Sequence, residues 1–203
     1  MKKLMTFLFV GALMSALSVG CNSPNEKSGE AHQSGDFITY YYYDGEKVNL
    51  EIRRDEVIIK TASNVDAKAL SMHEIFTLGE RAASPMDFWV IAHIDAKTTT
   101  LDDVLMLPGA LDATYGLGHD DGTIMFPNNE IYVELEKGIT PDDMLAEAGL
   151  ADNVIAIKEF QKGYNITLNI ELKNVLKTSN ELYESGLCVY SAPSFILRMR
   201  SHI

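Results

Sequence analysis

The chain has 203 residues, with 29 acidic against 17 basic side chains and a formal net charge of −12. So acidic a polymer repels phosphate backbones and anionic lipid surfaces, which excludes nucleic acid from the expected partners. Its length leaves room for one sizeable core or two small ones.

The chain opens with the basic "MKK", passes to the apolar, small-residue-rich "LMTFLFVGALMSALSVG", and reaches Cys21 at once. This is the layout of a secretion signal. Ser18, Val19 and Gly20 before Cys21 resemble the lipobox of bacterial lipoproteins, in which the cysteine is acylated and becomes the new N-terminus; the usual leucine stands one place earlier, at Leu17. The alternative, an uncleaved membrane helix, needs about 20 apolar residues, and the run is marginally short. The resemblance implies a signal peptide over 1–20, lipid attachment at Cys21 and anchorage in the cell envelope, at the outer membrane of a Gram-negative bacterium. With Cys21 acylated, Cys188 has no disulfide partner.

After Cys21 comes "NSPNEKSGEAHQSGD", without apolar periodicity, so residues 21–36 read as a flexible tether. "DFITYYYYDGEKVNLEI" holds two extended runs around Asp44-Gly45, a type I′ hairpin signal. A strand in "EVIIK" leads to a helical pattern, and "DFWVIAHID", a helix capped near Thr100 and a closing strand around "LDATYGL" follow. Past "HDDGTIMFPNN" the order repeats. "EIYVELE" is a strand; Thr140, Pro141 and Asp143 open a helix as cap, first helical residue and capping-box partner; Gly149 ends it. In "NVIAIKEFQKGYNITLNIEL", Ile166, Leu168 and Ile170 alternate with polar residues, a hairpin with one wet face. A helix stopped by Gly186 and the strand "LCVY" complete the copy.

The two copies align without a gap: Glu130 falls on Glu56, Ile131 on Val57, Val133 on Ile59, Met144 on Leu70 and Leu150 on Phe76. Strand, helix, hairpin, helix, strand is the split β-α-β unit. The expected fold is therefore α+β, two tandem ferredoxin-like sandwiches preceded by a hairpin, with units over 37–127 and 128–203.

Reactive chemistry is sparse. Cys188 alternates with Leu187 and Val189 in a predicted strand and reads as a buried structural thiol rather than a nucleophile. His119, Asp120 and Asp121 in "GHDDG" read as a hydrated turn, a hard-cation site being the alternative. His93, beside Trp89 and Ile91, reads as a core or edge histidine rather than a ligand. Tyr40 to Tyr43 form either a packed strand or a sugar-stacking platform. With no phosphate-binding glycine loop, no Gly-x-Ser-x-Gly and no acid and base pair, neither an enzyme nor a cofactor is expected.

"SNELYESGLCVYSAPSF", residues 179 to 195, with "YYYYDGEKVNL" and "FPNNEIYVEL", resembles the N-terminal pro-region of secreted subtilisin-type proteases of Bacteroidetes-like bacteria. Ala192 stands where that turn usually carries an acid. The resemblance implies a sheet that packs on surface helices of the protease and a C-terminal segment lying in the substrate cleft as an added strand. The residues it assigns to protease binding are Tyr190, Pro193, Phe195, Ile196, Leu197, Arg198, Met199, Arg200, Ser201, His202 and Ile203. Extended at about 3.3 Å per residue, "ILRMRSHI" would reach roughly 26 Å. The function so implied is that of a free-standing inhibitor or folding helper; a surface lipoprotein binding glycans or peptides is the alternative.

Overall fold

The computed structural model describes residues 37–76 and 84–198. The signal, Cys21 and the tether to residue 36, and Met199, Arg200, Ser201, His202 and Ile203 lie outside the described residues. The fold is mixed α+β, mostly antiparallel sheet. Among the described residues no helix is long and apolar enough to cross a membrane.

Strands β1 (Tyr40–Tyr43) and β2 (Glu46–Asn49) form the first hairpin. Its turn residues Asp44 and Gly45 take φ of 48° and 80°, the left-handed pair a type I′ turn requires. Then come β3 (Glu51–Thr61), α1 (Asn64–Leu70), β4 (Ser84–Met86), β5 (Trp89–His93), α2 (Leu101–Leu105) and β6 (Ala110–Gly118). The second series is β7 (Ile124–Leu135), α3 (Pro141–Glu147), β8 (Val154–Phe160), β9 (Gly163–Leu168), α4 (Val175–Glu184) and β10 (Cys188–Arg198). Three helices start on side-chain caps of one design. Ser63, Thr100 and Thr140 each accept from the backbone N–H three residues on, and Asp103 and Asp143 complete capping boxes.

The sheet order is β4-β5-β3-β6-β7-β9-β8, with β10 on the other edge of β7. This corrects the expectation of two separate layers. The segment that reads as a connection between units, with Gly122, Pro127, Asn128 and Asn129, is the tip of a hairpin followed by the first half of β7. His119 and Thr123 close the turn by a 2.9 Å backbone bond, Thr123 N–H donates to Asp121 Oδ1 at 2.8 Å, and Leu117 and Gly118 then pair with Met125 and Ile124. Ile124, Met125 and Phe126 are buried, so leaving them in a solvated linker would expose about 1.5–3 kcal/mol of hydrophobic stabilisation per side chain.

β7 changes neighbours along its length. Ile124 and Met125 pair with β6, whereas Glu130–Val133 pair with β9; β10 runs beside both parts. The ladder to β10 slips between Pro193 and Phe195, opposite Pro127 to Ile131. Prolines, which lack the N–H a regular ladder needs, stand on both strands at the slip, and Asn side chains fill in: Asn128 Oδ1 accepts from Glu130 N–H, and Asn129 Nδ2 donates to the Leu168 carbonyl.

Among the described residues four apolar clusters result. Val57, Ile59, Val90, Ala92 and Ala113 pack under α1 and α2, and Ile131, Val133, Ile166 and Leu168 under α3 and α4. On the reverse of the first sheet Ile58 and Ile91 meet Ile124, Phe126 and Leu172 from the second series. Gly116 permits this approach: a Cβ there would lie 2.9 Å from the Phe126 ring and 3.0 Å from Ile124. The fourth cluster, Leu50, Leu117, Met125 and Leu176, is covered by Tyr41, Val48 and Phe195.

Asp112 of β6 ties the two series together, since its carboxylate accepts from the N–H of Leu172 at 2.7 Å and of its neighbour Ala113 at 2.8 Å. Burial raises its pKa above the ordinary carboxylate value, against the pull of these two donors. A raised folded-state value means that the fold holds the proton more tightly than the unfolded chain does. Its titration therefore adds stability below the unfolded pKa and loses it as pH rises through the folded one. Asp112→Ala should cost about 1–3 kcal/mol in urea unfolding, because two N–H groups of buried residues lose their acceptor. It should also remove that acid-side component of the stability profile.

Candidate interaction surface

Alternation in the C-terminal strands sorts their side chains onto two faces. Ile131, Val133, Ile166 and Leu168 enter the core beneath the helices. Glu130, Tyr132, Glu134, Asn165 and Thr167 therefore point to the other side, all half-buried. Register extends this second face outward: Lys158 pairs with Asn165, Phe160 with Gly163, Tyr190 with Glu134 and Ala192 with Tyr132.

On this face four rings form a row. Tyr43, at the tip of the β1–β2 hairpin, meets Tyr190 with centroids 6.4 Å apart; Tyr190 meets Tyr132 at 5.9 Å, and Tyr132 meets Phe160 at 6.3 Å. The two end rings are half exposed, Tyr43 at 54% and Phe160 at 50%. Tyr132 Oη donates to Glu134 Oε1 at 3.0 Å. Gly163 supplies the floor, for a Cβ there would lie 3.0 Å from the Tyr132 ring and would collide with the Val133 carbonyl oxygen. Burial raises the Tyr190 phenol above its ordinary pKa, and the neighbouring Tyr43, Tyr41, Asp44 and Glu134 add to the shift.

The row takes only one member from the tyrosine run. Tyr41 packs on Phe195 at 5.5 Å; Tyr42 lies against Tyr183 at 4.4 Å and donates to Glu184 at 2.6 Å. Lys47 covers Tyr40 and Tyr42 with its ammonium 4.2 and 5.4 Å from the ring centroids. Asn180 fastens the hairpin further through a 2.9 Å bond to the Tyr40 carbonyl.

Of the residues assigned to protease binding from sequence, Tyr190 lies in the row. Pro193 is buried opposite Ile131, Phe195 packs on Tyr41, and Ile196 packs against the cluster of Ile58, Ile91 and Phe126. Leu197 is 53% exposed, and it and Arg198 pair with Met125 and Ile124. The extended arm expected from Ile196 onward is thus, as far as Arg198, a strand within the sheet. The cause is that Ile124–Phe126 offer it a ladder and an apolar bed. Tyr132 and Phe160 were not among the sequence-derived site residues, and Tyr43 entered only through the alternative of a sugar-stacking platform at Tyr40 to Tyr43. The signal for two of them lay in alternation: Tyr132 stands between Ile131 and Val133, and Phe160 falls on the polar face of the next hairpin.

Two other groups bear on chemistry. Asp55, Glu56 and His93 offer ligand atoms all within 4.8 Å of one another, a mixed oxygen and nitrogen donor set held by the Glu56–His93 pair of β3 and β5. Glu56 is 1% exposed, Arg53 pairs with Asp55 at 3.3 Å, and each of the three has further interactions. The set reads as an internal polar contact of the first sheet.

Cys188 is buried, and burial first, then Glu136, pushes its thiol up to about 11. Near pH 8 only about a thousandth of it would be thiolate. In a Cys21→Ser background, a thiol reagent should therefore modify the native chain no faster than it unfolds. Gly163→Ala should destabilise by about 1–3 kcal/mol through overpacking, and should shift the Tyr132 ring resonances before those of Tyr183. Compared with known proteins, the chain matches no family model, no curated protein and no solved structure.

Proposed function

We propose that this chain is a cell-envelope lipoprotein that binds a subtilisin-type protease, as inhibitor or folding helper, through the open face of its C-terminal half. The observation that carries the reading is the ring row Tyr43, Tyr190, Tyr132 and Phe160 on a sheet face opposite the helices. Tyrosine supplies large, stiff contact area at low entropic cost and is enriched among residues that dominate protein interfaces.

Strand order supports the kinship drawn from sequence. Taken alone, each series runs second, third, first, fourth: β4-β5-β3-β6 and β8-β9-β7-β10. With a helix in each crossover, this is the arrangement of a ferredoxin-like unit, and we read the chain as two such units fused through β6 and β7. In this reading the docked element is the sheet face, and any segment that enters the cleft starts after Arg198. The rival reading, glycan binding, draws on the same exposed rings, which can also stack on sugars.

The test is capture from envelope extract by the full chain, beside the Tyr132→Ala and Phe160→Asp variants. Capture of a subtilisin-type protease, with its activity blocked and the chain left intact, is the expected result. Each variant should weaken capture by about tenfold, the loss of about 1.4 kcal/mol. Retention of the chain on a polysaccharide matrix, with no protease captured, would favour the glycan reading.

A further inference from the structure

We propose that the Tyr43, Tyr190 and Tyr132 end of the row receives a guanidinium or ammonium group from the docked polypeptide, with Glu134 and Asp44 as its counter-charges. The inference rests on the docking reading above and assigns the chemistry of one contact within it.

Three features of the face converge on a cation. First, the rings meet at corners: Tyr43 and Tyr190 are inclined by 80°, and Tyr190 and Tyr132 by 59°. Neighbouring rings at such angles present faces toward a shared corner, where a cation can lie within about 6 Å of a ring centroid. Second, the negative charge is placed at this end. Glu134 stands opposite Tyr190 in the β7–β10 register and is oriented by the Tyr132 hydroxyl, while Asp44 follows Tyr43 in the hairpin turn. Burial is the main cause of the raised Tyr190 pKa, and both carboxylates add to it. Third, the row is polarised. Its other end carries Lys158, opposite Asn165 on the same face, and Lys162 in the turn after Phe160. A basic side chain is thus drawn to the tyrosine end and repelled from the phenylalanine end, which sets the direction in which a partner lies across the sheet.

The chain already uses this chemistry on the hairpin's other side, where the Lys47 ammonium sits over Tyr40 and Tyr42. At the proposed site neither Glu134 nor Asp44 forms a Lys or Arg ion pair among the described residues, so in this proposal the cation comes from the docked polypeptide. An arginine satisfies the geometry best, since its planar group can stack on a ring and still donate to Glu134.

The experiment titrates the full chain with acetyl-Gly-Arg-Gly-amide and with the uncharged citrulline isostere, following tyrosine and phenylalanine ring resonances. The arginine peptide should bind about tenfold more tightly, moving Tyr43, Tyr190 and Tyr132 but not Phe160. Glu134→Gln should remove most of that preference. Equal binding of the two peptides, shifts centred on Phe160, or an arginine preference unchanged in Glu134→Gln would each overturn the proposal. The two readings fail separately. If protease capture depends on Tyr132 and Phe160 while the peptides are not distinguished, the cation site falls and docking stands; if arginine is preferred but capture ignores both variants, docking falls.

Discussion

The structure depends on one strand. β7 is twelve residues long and hydrogen-bonded on both edges, and it exchanges β6 for β9 along one of them while β10 accompanies it along the other. A central strand cannot leave its N–H and C=O groups unmet, so each neighbour it takes on is held in register by that requirement. Because the second series begins on the strand that closes the first series' sheet, neither set of strands is an independent layer. The Ile58, Phe126 and Leu172 cluster, and the bond from Leu172 to Asp112, follow from this junction.

The same junction decides what becomes of the C-terminal segment. Once Ile124–Phe126 lie in the sheet, their free edge is the nearest ladder for Phe195–Arg198, and the segment pairs there instead of projecting. Phe195 and Ile196, both half-buried, then pack over the hairpin and the reverse of the first sheet. As far as Arg198, the C-terminal half therefore presents a surface and not a projecting arm. That surface is the face opposite α3 and α4, where Tyr132 rests on Gly163 and links Tyr190 to Phe160.

The hairpin at the start of the described chain has a matching role. Its tyrosines divide their work by side: Tyr41 covers the fourth cluster, Tyr40 and Tyr42 bind Lys47, Tyr183 and Glu184, and Tyr43 is left at the tip to extend the row. The ring row, with Asp44 and Glu134 toward one end and Lys158 and Lys162 toward the other, is therefore assembled from residues distant in sequence, and it forms only when β10, β7, β9 and β8 stand side by side with the tip of the β1–β2 hairpin against β10. The internal polar set at Asp55, Glu56 and His93 shows the opposite case, a charged cluster made by one strand pair.

Much of this was legible in the chain itself, because local physics writes local signals. The Asp44-Gly45 turn, the caps at Thr100 and Thr140, the alternation of Ile166 and Leu168 and the paired order of strands and helices need only neighbouring residues to be recognised. The buried state of Cys188 belongs to the same class. What only the tertiary structure decided is the partner of each strand edge. The stretch "HDDGTIMFPNN" reads as the join between two units, and Ile196–Arg198 read as an arm on the strength of the pro-region resemblance. Each segment is the other's ladder, some seventy residues apart, and pairing over such a separation leaves no periodic trace in either one alone.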